Sequence, residues 1–337
     1  MTTRRTSHTA GVAAPADVAY RIVADVTSWP VHFPPTVHAV RLSGDDREER
    51  IRIWALANGA LRTWVSVRRL DPAARTVEFE QAEPAAPVAA MGGAWRVEDD
   101  GDGGCRVELA HHYAAVGDDP EALALIDRAV ESNSTAELDA LRRAAEGAAD
   151  PADLTLEFSD AEVIDGSVDD AYDFVNACDR WPERLPHVLR VELTEDEPGL
   201  QLMEMDTRSP DGSAHTTASG RVCVPGDRIV YKQTTVPPVM RTHNGEWTFR
   251  PDPGGGVRVT SRHTVVIDPD AARELAPEGL TLPEVRTKIR ETLGANSRAT
   301  LRAAKAHAEA HKEAHKGPRR EARKEAHAEA GRERSGK

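Results

Sequence analysis

The sequence predicts two tandem α+β domains, each a curved antiparallel sheet wrapped around a long C-terminal helix. Three observations carry this. The chain of 337 residues writes nearly the same order of residues twice, 152 positions apart. Inside each copy, short alternating segments follow one another between Gly, Asp and Pro, which is the pattern of half-buried strands. Each copy then ends on a long helical stretch, and strands followed by a helix make an α+β layer.

The repeat is plainest at VTSWPVHFPPTVHAVRL (26–42) and CDRWPERLPHVLRVEL (178–193). At one offset Asp17 meets Asp169, Tyr20 meets Tyr172, Trp29-Pro30 meets Trp181-Pro182, Trp95 meets Trp247 and His111 meets His263. One residue of drift aligns Arg68 with Arg221. After an insertion in the second copy (DPDAARELAPEGLTLPE), Asn133-Ser134 meets Asn296-Ser297. Ordered identities over such a length mean two homologous domains. Their expected bounds are 1–149 and 150–308, with a charged, low-complexity tail over 309–337 that is expected to be disordered or loosely helical.

Each copy opens with a short strand (SHTAGVAA; LEFSDAEVIDG) and an amphipathic helix whose first-turn acids suit the helix dipole. Trp-Pro ends that helix, because a residue before proline is pushed out of the helical region. Phe33-Pro34-Pro35 and Leu185-Pro186 fit a brief second turn. The strands of the first copy are VHAVRLSG, REERIRIWALANG, LRTWVSVRRLD, TVEFEQ, AWRVEDDGDGG and CRVELAHHYAA. The closing helices are EALALIDRAVESNSTAELDALRRAAEG and LPEVRTKIRETLGANSRATLRAAKA. A sheet that grips a helix leaves a hollow, and apolar clefts of that kind bind small molecules.

Composition narrows the function. A net charge of −13 argues against nucleic-acid binding, which needs a basic surface. No apolar run is long enough to span a membrane, and the N-terminus lacks the apolar core of a signal peptide, so a cytoplasmic protein is expected. The three cysteines are far apart and read as isolated thiols, not a disulfide frame or zinc site. Phosphate-binding Gly-rich loops, the Gly-x-Ser-x-Gly elbow and His-Glu-x-x-His are all missing, so no cofactor and no metal are expected.

Trp29-Pro30 with Phe33, the run Trp64-Val65-Ser66-Val67-Arg68, Trp95 on a late strand and Asn133-Ser134-Thr135 on the closing helix form an ordered set. The set resembles the helix-grip proteins of the START and birch-pollen-allergen type, and within them the polyketide aromatase/cyclases of bacterial type II synthases. It covers both copies, as in the two-domain class. The resemblance implies aldol closure, dehydrative aromatisation, or both, of the first ring of a poly-β-ketone. The implied partners are an acyl carrier protein bearing the phosphopantetheine-linked chain and other synthase subunits. In the single-domain relatives an arginine on the strand after the Asn-Gly turn lies in the cavity and is needed for cyclisation. Its position here is Arg68 and, by the repeat, Arg221. A pocket tyrosine of those relatives falls at Thr36, a departure, and the second copy carries Leu185 and Thr217 in place of Phe33 and Trp64. The same scaffold also supports an alternative, a non-catalytic binding or transport protein for an apolar small molecule.

Strand parity puts Trp64, Ser66 and Arg68 on one face and Val65, Val67 and Arg69 on the other. Either both arginines end in water over a valine core, or Arg68 faces the hollow. Recurrence as Ser219-Gly220-Arg221 favours the hollow, since a buried polar pair persists only with partners or a task. His111 and His263, each on a last strand, are either core histidines or proton carriers. The expected catalytic residues are therefore Arg68, Arg221, His111 and His263. The expected substrate-binding residues are Phe33, Trp54, Trp64, Ser66, Met91, Trp95, Tyr113, Asn133, Ser219, Trp247 and Asn296.

Overall fold

The computed structural model describes residues 2–147, 154–208, 212, 214–275 and 281–334. The first domain runs β1 (Arg4–Val12), α1 (Ala16–Ala24), α2 (Trp29–His32), β2 (Thr36–Gly44), β3 (Glu48–Ala57), β4 (Ala60–Asp71), β5 (Thr76–Gln81), β6 (Val88–Asp99), β7 (Cys105–Ala115) and α3 (Pro120–Glu146). The second runs β8 (Thr155–Ile164), α4 (Val168–Asn176), α5 (Trp181–Arg184), β9 (Val188–Glu197), β10 (Leu200–Arg208), β11 (Ala214–Val224), β12 (Arg228–Thr235), β13 (Met240–Pro251), β14 (Val257–Ile267), α6 (Pro269–Leu275) and α7 (Leu282–Arg334). The expected boundary between the domains lies outside the described residues.

Each domain holds a seven-stranded antiparallel sheet, ordered β1-β7-β6-β5-β4-β3-β2 and β8-β14-β13-β12-β11-β10-β9. The two orders are the same, as a duplication requires. Asn58 and Gly59, at φ 51° and 78°, join β3 to β4. Positive φ at both central residues is what a two-residue hairpin needs, and Asn-Gly adopts it readily.

Helix α3 starts where Asp119 accepts from the Glu121 amide and Pro120 occupies the first turn. Its buried positions, Ile126, Val130, Ser134, Leu138, Leu141 and Ala145, recur every three or four residues and face the sheet. Each large apolar side chain so buried contributes roughly 1.5–3 kcal/mol, against a few tenths between ordinary helix propensities, so packing holds the helix. The insertion of the second copy forms α6, which packs Ala272 with Val285 and Ile289 of α7 against Met240, Val265 and Ile267. This apolar cluster closes one end of the second domain.

The domains meet through the outer face of the second sheet. Val37 and Leu61 of the first pack on Leu200 and Val222 of the second, with Trp54, Leu56 and Leu202 around them. A Cβ on Gly220 would stand 2.9 Å from Val37 Cγ2, so the backbones approach closely there.

Candidate active site

Strand parity decides what faces α3. On β4, Trp64, Ser66 and Arg68 point into the hollow, while Arg69 points outward and pairs with exposed Glu48 at 3.1 Å. Register places Arg68 in a row that crosses the sheet. Glu49 lies opposite Arg68, Arg68 opposite Phe79, Phe79 opposite Gly93, Gly93 opposite His111, and His111 opposite Thr6. The second domain writes the row as Gln201, Arg221, Tyr231, Gly245, His263 and Phe158. The glycine is needed because an aromatic ring lies across it. A Cβ on Gly93 would stand 2.7 Å from Phe79 Cζ, and one on Gly245 would overlap the Tyr231 ring.

In the first domain this row borders a cavity of about 620 Å³, walled by Ile51, Ile53, Trp64, Met91, Trp95 and Leu109. That size is ordinary for a small-molecule site. At the rim the second domain contributes Glu197, which accepts from Arg62 at 2.7 Å.

Arg68 is 1% exposed. Its Nη2 donates to the carbonyls of Val23 (2.8 Å) and Ala24 (3.2 Å) at the end of α1, where a cation suits the helix dipole. Nη1 lies 3.0 Å from Glu49 Oε1, and the guanidinium sits 5.0 Å above the Trp29 ring. Glu49 is itself buried and also meets Arg41. The Arg68 Nε–H has no hydrogen-bond partner among the described residues. Burial outweighs Glu49 and lowers the guanidinium to about 10, so it remains a cation at neutral pH.

His111 lines the same cavity, with Nδ1 3.5 Å from Ser134 Oγ and the ring edge-on to Phe79 at 5.4 Å. Burial, and then His8 and His112, press its pKa to about 4, so the ring is neutral at pH 7. Glu137 lines the cavity from α3, one turn beyond Asn133. The surface it keeps faces the hollow, and burial pushes its carboxyl to about 7. A neutral imidazole and a carboxyl poised near neutral pH line one apolar chamber, an acid–base pair set by environment.

Several expected residues are placed as the sequence suggested. Trp64, Ser66, Met91, Trp95 and Asn133 all line the cavity, and Asn133 donates to the Leu56 carbonyl at 3.3 Å. Thr36 lines it too, as does Trp29, whose indole N–H donates to the Val23 carbonyl at 3.1 Å.

Others need correction. Trp54 faces outward, because Ile53 and Ala55 take the inward positions of β3; it stacks on His38 at 5.0 Å beside the second domain. Phe33 packs behind the wall, between Trp29 (5.4 Å) and Trp95 (5.9 Å). Tyr113 is buried with its hydroxyl donating to Asp127 at 2.7 Å, and does not border the cavity. Trp247 belongs to the second domain's core. Asn296 is half-buried on α7, where its carbonyl accepts from Thr300.

The second copy of the row is differently occupied. Arg221 donates to Cys178 Sγ and, at 2.8 Å, to the Val175 carbonyl, over the Trp181 ring at 5.6 Å. Both nitrogens of His263 are engaged. Nδ1 meets His243 Nε2 at 2.9 Å, and Nε2 meets Ser297 Oγ at 2.7 Å and Ser261 Oγ at 3.2 Å. Phe158 and His243 stack on the ring at 4.7 and 5.2 Å. In the first domain the matching positions are Thr6, Met91 and, for Ser261, Leu109, so the His243 and Ser261 contacts of His263 have no counterpart at His111, which lines the cavity. Ser219 is buried in the second domain with its hydroxyl unpartnered among the described residues.

Two residues that sequence reasoning missed matter here. Glu137 stands four residues after Asn133 on the same helix face, a spacing that could have found it. Phe79 alternates with Val77 in TVEFEQ, but nothing in that run marks the ring as crossing a glycine.

A curved sheet about a helix, holding an apolar chamber with a buried guanidinium, a neutral imidazole and a carboxyl raised to about 7, defines a small-molecule enzyme of the helix-grip class. Residues 3–146 and, separately, 164–274 match families described as polyketide cyclase/dehydrase and lipid transport. The chain is 42% identical over 301 residues to the granaticin polyketide synthase bifunctional cyclase/dehydratase of Streptomyces violaceoruber, covering 89% of this chain and 93% of that one. It is 45% identical over 307 residues to the actinorhodin polyketide synthase bifunctional cyclase/dehydratase of Streptomyces coelicolor, covering 88% and 94%. Among solved structures, the di-domain ARO/CYC BexL from the BE-7585A biosynthetic pathway aligns at 49% identity and a TM-score of 0.80, over 91% of this chain and 99% of that one. The di-domain ARO/CYC StfQ from the steffimycin pathway aligns at 38% identity and 0.77, over the same shares. The chain belongs to the polyketide cyclase/dehydratase family, and is an enzyme rather than a passive carrier. Among the described residues no helix is long and apolar enough to cross a membrane.

Proposed function

We propose that the first domain receives a poly-β-ketone on the phosphopantetheine arm of an acyl carrier protein, closes its first ring by an aldol reaction and dehydrates the product. The observation that carries this reading is the Arg68 Nε–H, a buried cationic donor without a hydrogen-bond partner among the described residues, beside an apolar cavity.

The chemistry follows from the groups. Neutral His111 takes a proton from a carbon between two carbonyls, and the enolate oxygen gathers charge that the Arg68 guanidinium stabilises. The enolate carbon attacks a second carbonyl carbon, forming the ring bond, and the resulting alkoxide takes the proton back from the His111 imidazolium, which becomes neutral again. Dehydration then breaks the C–O bond: Glu137 gives its proton to the departing hydroxyl as neutral His111 removes the neighbouring C–H proton, and proton return from His111 to Glu137 resets the pair. Water is the only product besides the ring. The walls decide which carbons meet, and that proximity supplies a large part of the rate. No step is assigned to Arg221, both of whose Nη atoms donate within the second domain, or to His263, both of whose ring nitrogens are engaged there.

The test adds the protein to a reconstituted minimal type II synthase with its carrier protein. Wild type should replace spontaneously cyclised shunt products with one closed ring, and Arg68→Ala and His111→Ala should each restore the shunts. A shunt spectrum unaltered by wild type would overturn the reading.

A further inference from the structure

We propose that Lys232 of the second domain is a positioning residue for the first domain's cavity: with Thr242 and Asn244 it caps α2 and fixes the wall on which the polyketide folds. The inference rests on the active-site reading above for its consequence, but on contacts between the domains for its geometry.

Helix α2 has only four residues: the Trp29 carbonyl accepts from the Phe33 amide at 2.7 Å and the Phe33 carbonyl from the Thr36 amide at 3.1 Å, and the chain leaves the helix before it can supply partners to the carbonyls between. The outer face of the second sheet provides them. Lys232 Nζ donates to the carbonyls of Phe33 (2.6 Å) and Thr36 (3.1 Å). Thr242 Oγ1 donates to the Val31 carbonyl at 3.2 Å, and Asn244 Nδ2 to the Pro30 carbonyl at 3.2 Å. Lys232 and Asn244 are direct cross-strand partners, and all three side chains leave the sheet on the side away from the second domain's core. One patch thus holds four carbonyls within seven residues of chain.

Lys232 is 4% exposed, and no carboxylate lies within ion-pair distance of its Nζ among the described residues. Such burial of a lysine is costly unless its donors are needed. Its counterpart in the first copy, Glu80, is exposed and pairs with His112 at 2.8 Å. The buried lysine is therefore a feature of the join, not of the repeat.

What the cap holds is the wall itself. The segment it grips carries Trp29, which lies under the Arg68 guanidinium, and Pro35 and Thr36, which face the cavity. Phe33 braces Trp95 from behind. Released carbonyls would let this segment turn towards water, moving the ring under Arg68 and widening the chamber.

The experiment uses the full chain with Lys232→Met, which keeps the stem and removes the donors, Lys232→Arg, which keeps donors, and Lys305→Met as a control on the far helix. Two readouts are taken: product ratio with the reconstituted synthase, and affinity for 1-anilinonaphthalene-8-sulfonate as a flat aromatic probe. K232M is expected to lower the ratio of ring-closed to shunt product at least tenfold through kcat, with KM little changed, and to weaken the probe at least threefold. K232R should recover part of both, and K305M should match wild type. A wild-type ratio for K232M, or one restored simply by raising enzyme tenfold, would reduce Lys232 to a stability role and overturn the proposal. If K232M does not fold, Asn244→Leu tests the same cap, and a wild-type ratio and probe affinity there would also overturn it. Should wild type itself leave the shunts unchanged, the catalytic reading fails while the probe still decides the cap.

Discussion

Glu137→Gln removes a proton from the cavity without altering its shape, and the structure sets the size of the effect. Burial raises the Glu137 carboxyl from 4.5 to about 7. In the unfolded chain it ionises near 4.5, so between those values the folded state holds a proton that the unfolded state has lost. Stability therefore falls as pH rises from 4.5 through 7, by about 3 kcal/mol in all at ~1.36 kcal/mol per pH unit. Glutamine cannot ionise and escapes this fall. Urea unfolding of both proteins should give similar stability at pH 4.5, with the variant ahead by up to about 3 kcal/mol at pH 8.5. Turnover should move the other way. Wild-type kcat should drop above pH 7 as the acid ionises, whereas E137Q should be slower by about 10²–10⁴ and lack that alkaline limb. Parallel stability curves would show that the carboxyl is not held neutral, and an unchanged pH profile would show that it carries no proton in the reaction.

Two further perturbations separate chemistry from architecture. Arg68→Met alone leaves the buried Glu49 carboxylate with Arg41 as its remaining cation, a loss of up to about 3 kcal/mol; adding Glu49→Gln should return most of the stability in a denaturant melt while kcat stays down by about 10²–10³. An active double variant would make Arg68 a structural cation only. Importing the second domain's ring contacts with Thr6→Phe and Met91→His should stack on His111 and engage one of its ring nitrogens, as Phe158 and His243 do at His263, and return the product spectrum to shunts, with the unfolding transition retained; wild-type products from this folded variant would mean that a His111 free of these contacts is not needed for ring closure.

The duplication and the order of elements were legible because they rest on local signals: proline after tryptophan, Asn-Gly at a hairpin, apolar residues every second or every third and fourth position. Parity also put Trp64, Ser66 and Arg68 on the cavity face. It was not carried through to Trp54, although Ile51, Ile53 and Ala55 of RIRIWALA already claim the inward face of that strand. The fate of His263 was beyond the sequence for a different reason. Its ring is closed off by Phe158, His243 and Ser297, which come from three elements far apart in the chain. Only register brings them together, and a single sequence does not state register. Lys232 was hidden likewise: alternation shows that it leaves the sheet outward, but not that another domain waits there.

The two copies of the row show how one scaffold divides its work. A catalytic chamber must leave volume unfilled, and the residues around it lose contacts that would otherwise stiffen them. In the first domain His111 lines the cavity, and the Arg68 Nε–H has no hydrogen-bond partner among the described residues. In the second domain Phe158 and His243 stack on the His263 ring, and His243, Ser261 and Ser297 engage both of its nitrogens. The outer face of that sheet bears Lys232, Thr242 and Asn244 against α2 and the residues that follow it. If the second sheet is the backing for the segment that Lys232 grips, loosening His263 through His243→Ala should weaken the first domain's ring-closure ratio, measured with the reconstituted synthase, without touching a single residue of its cavity.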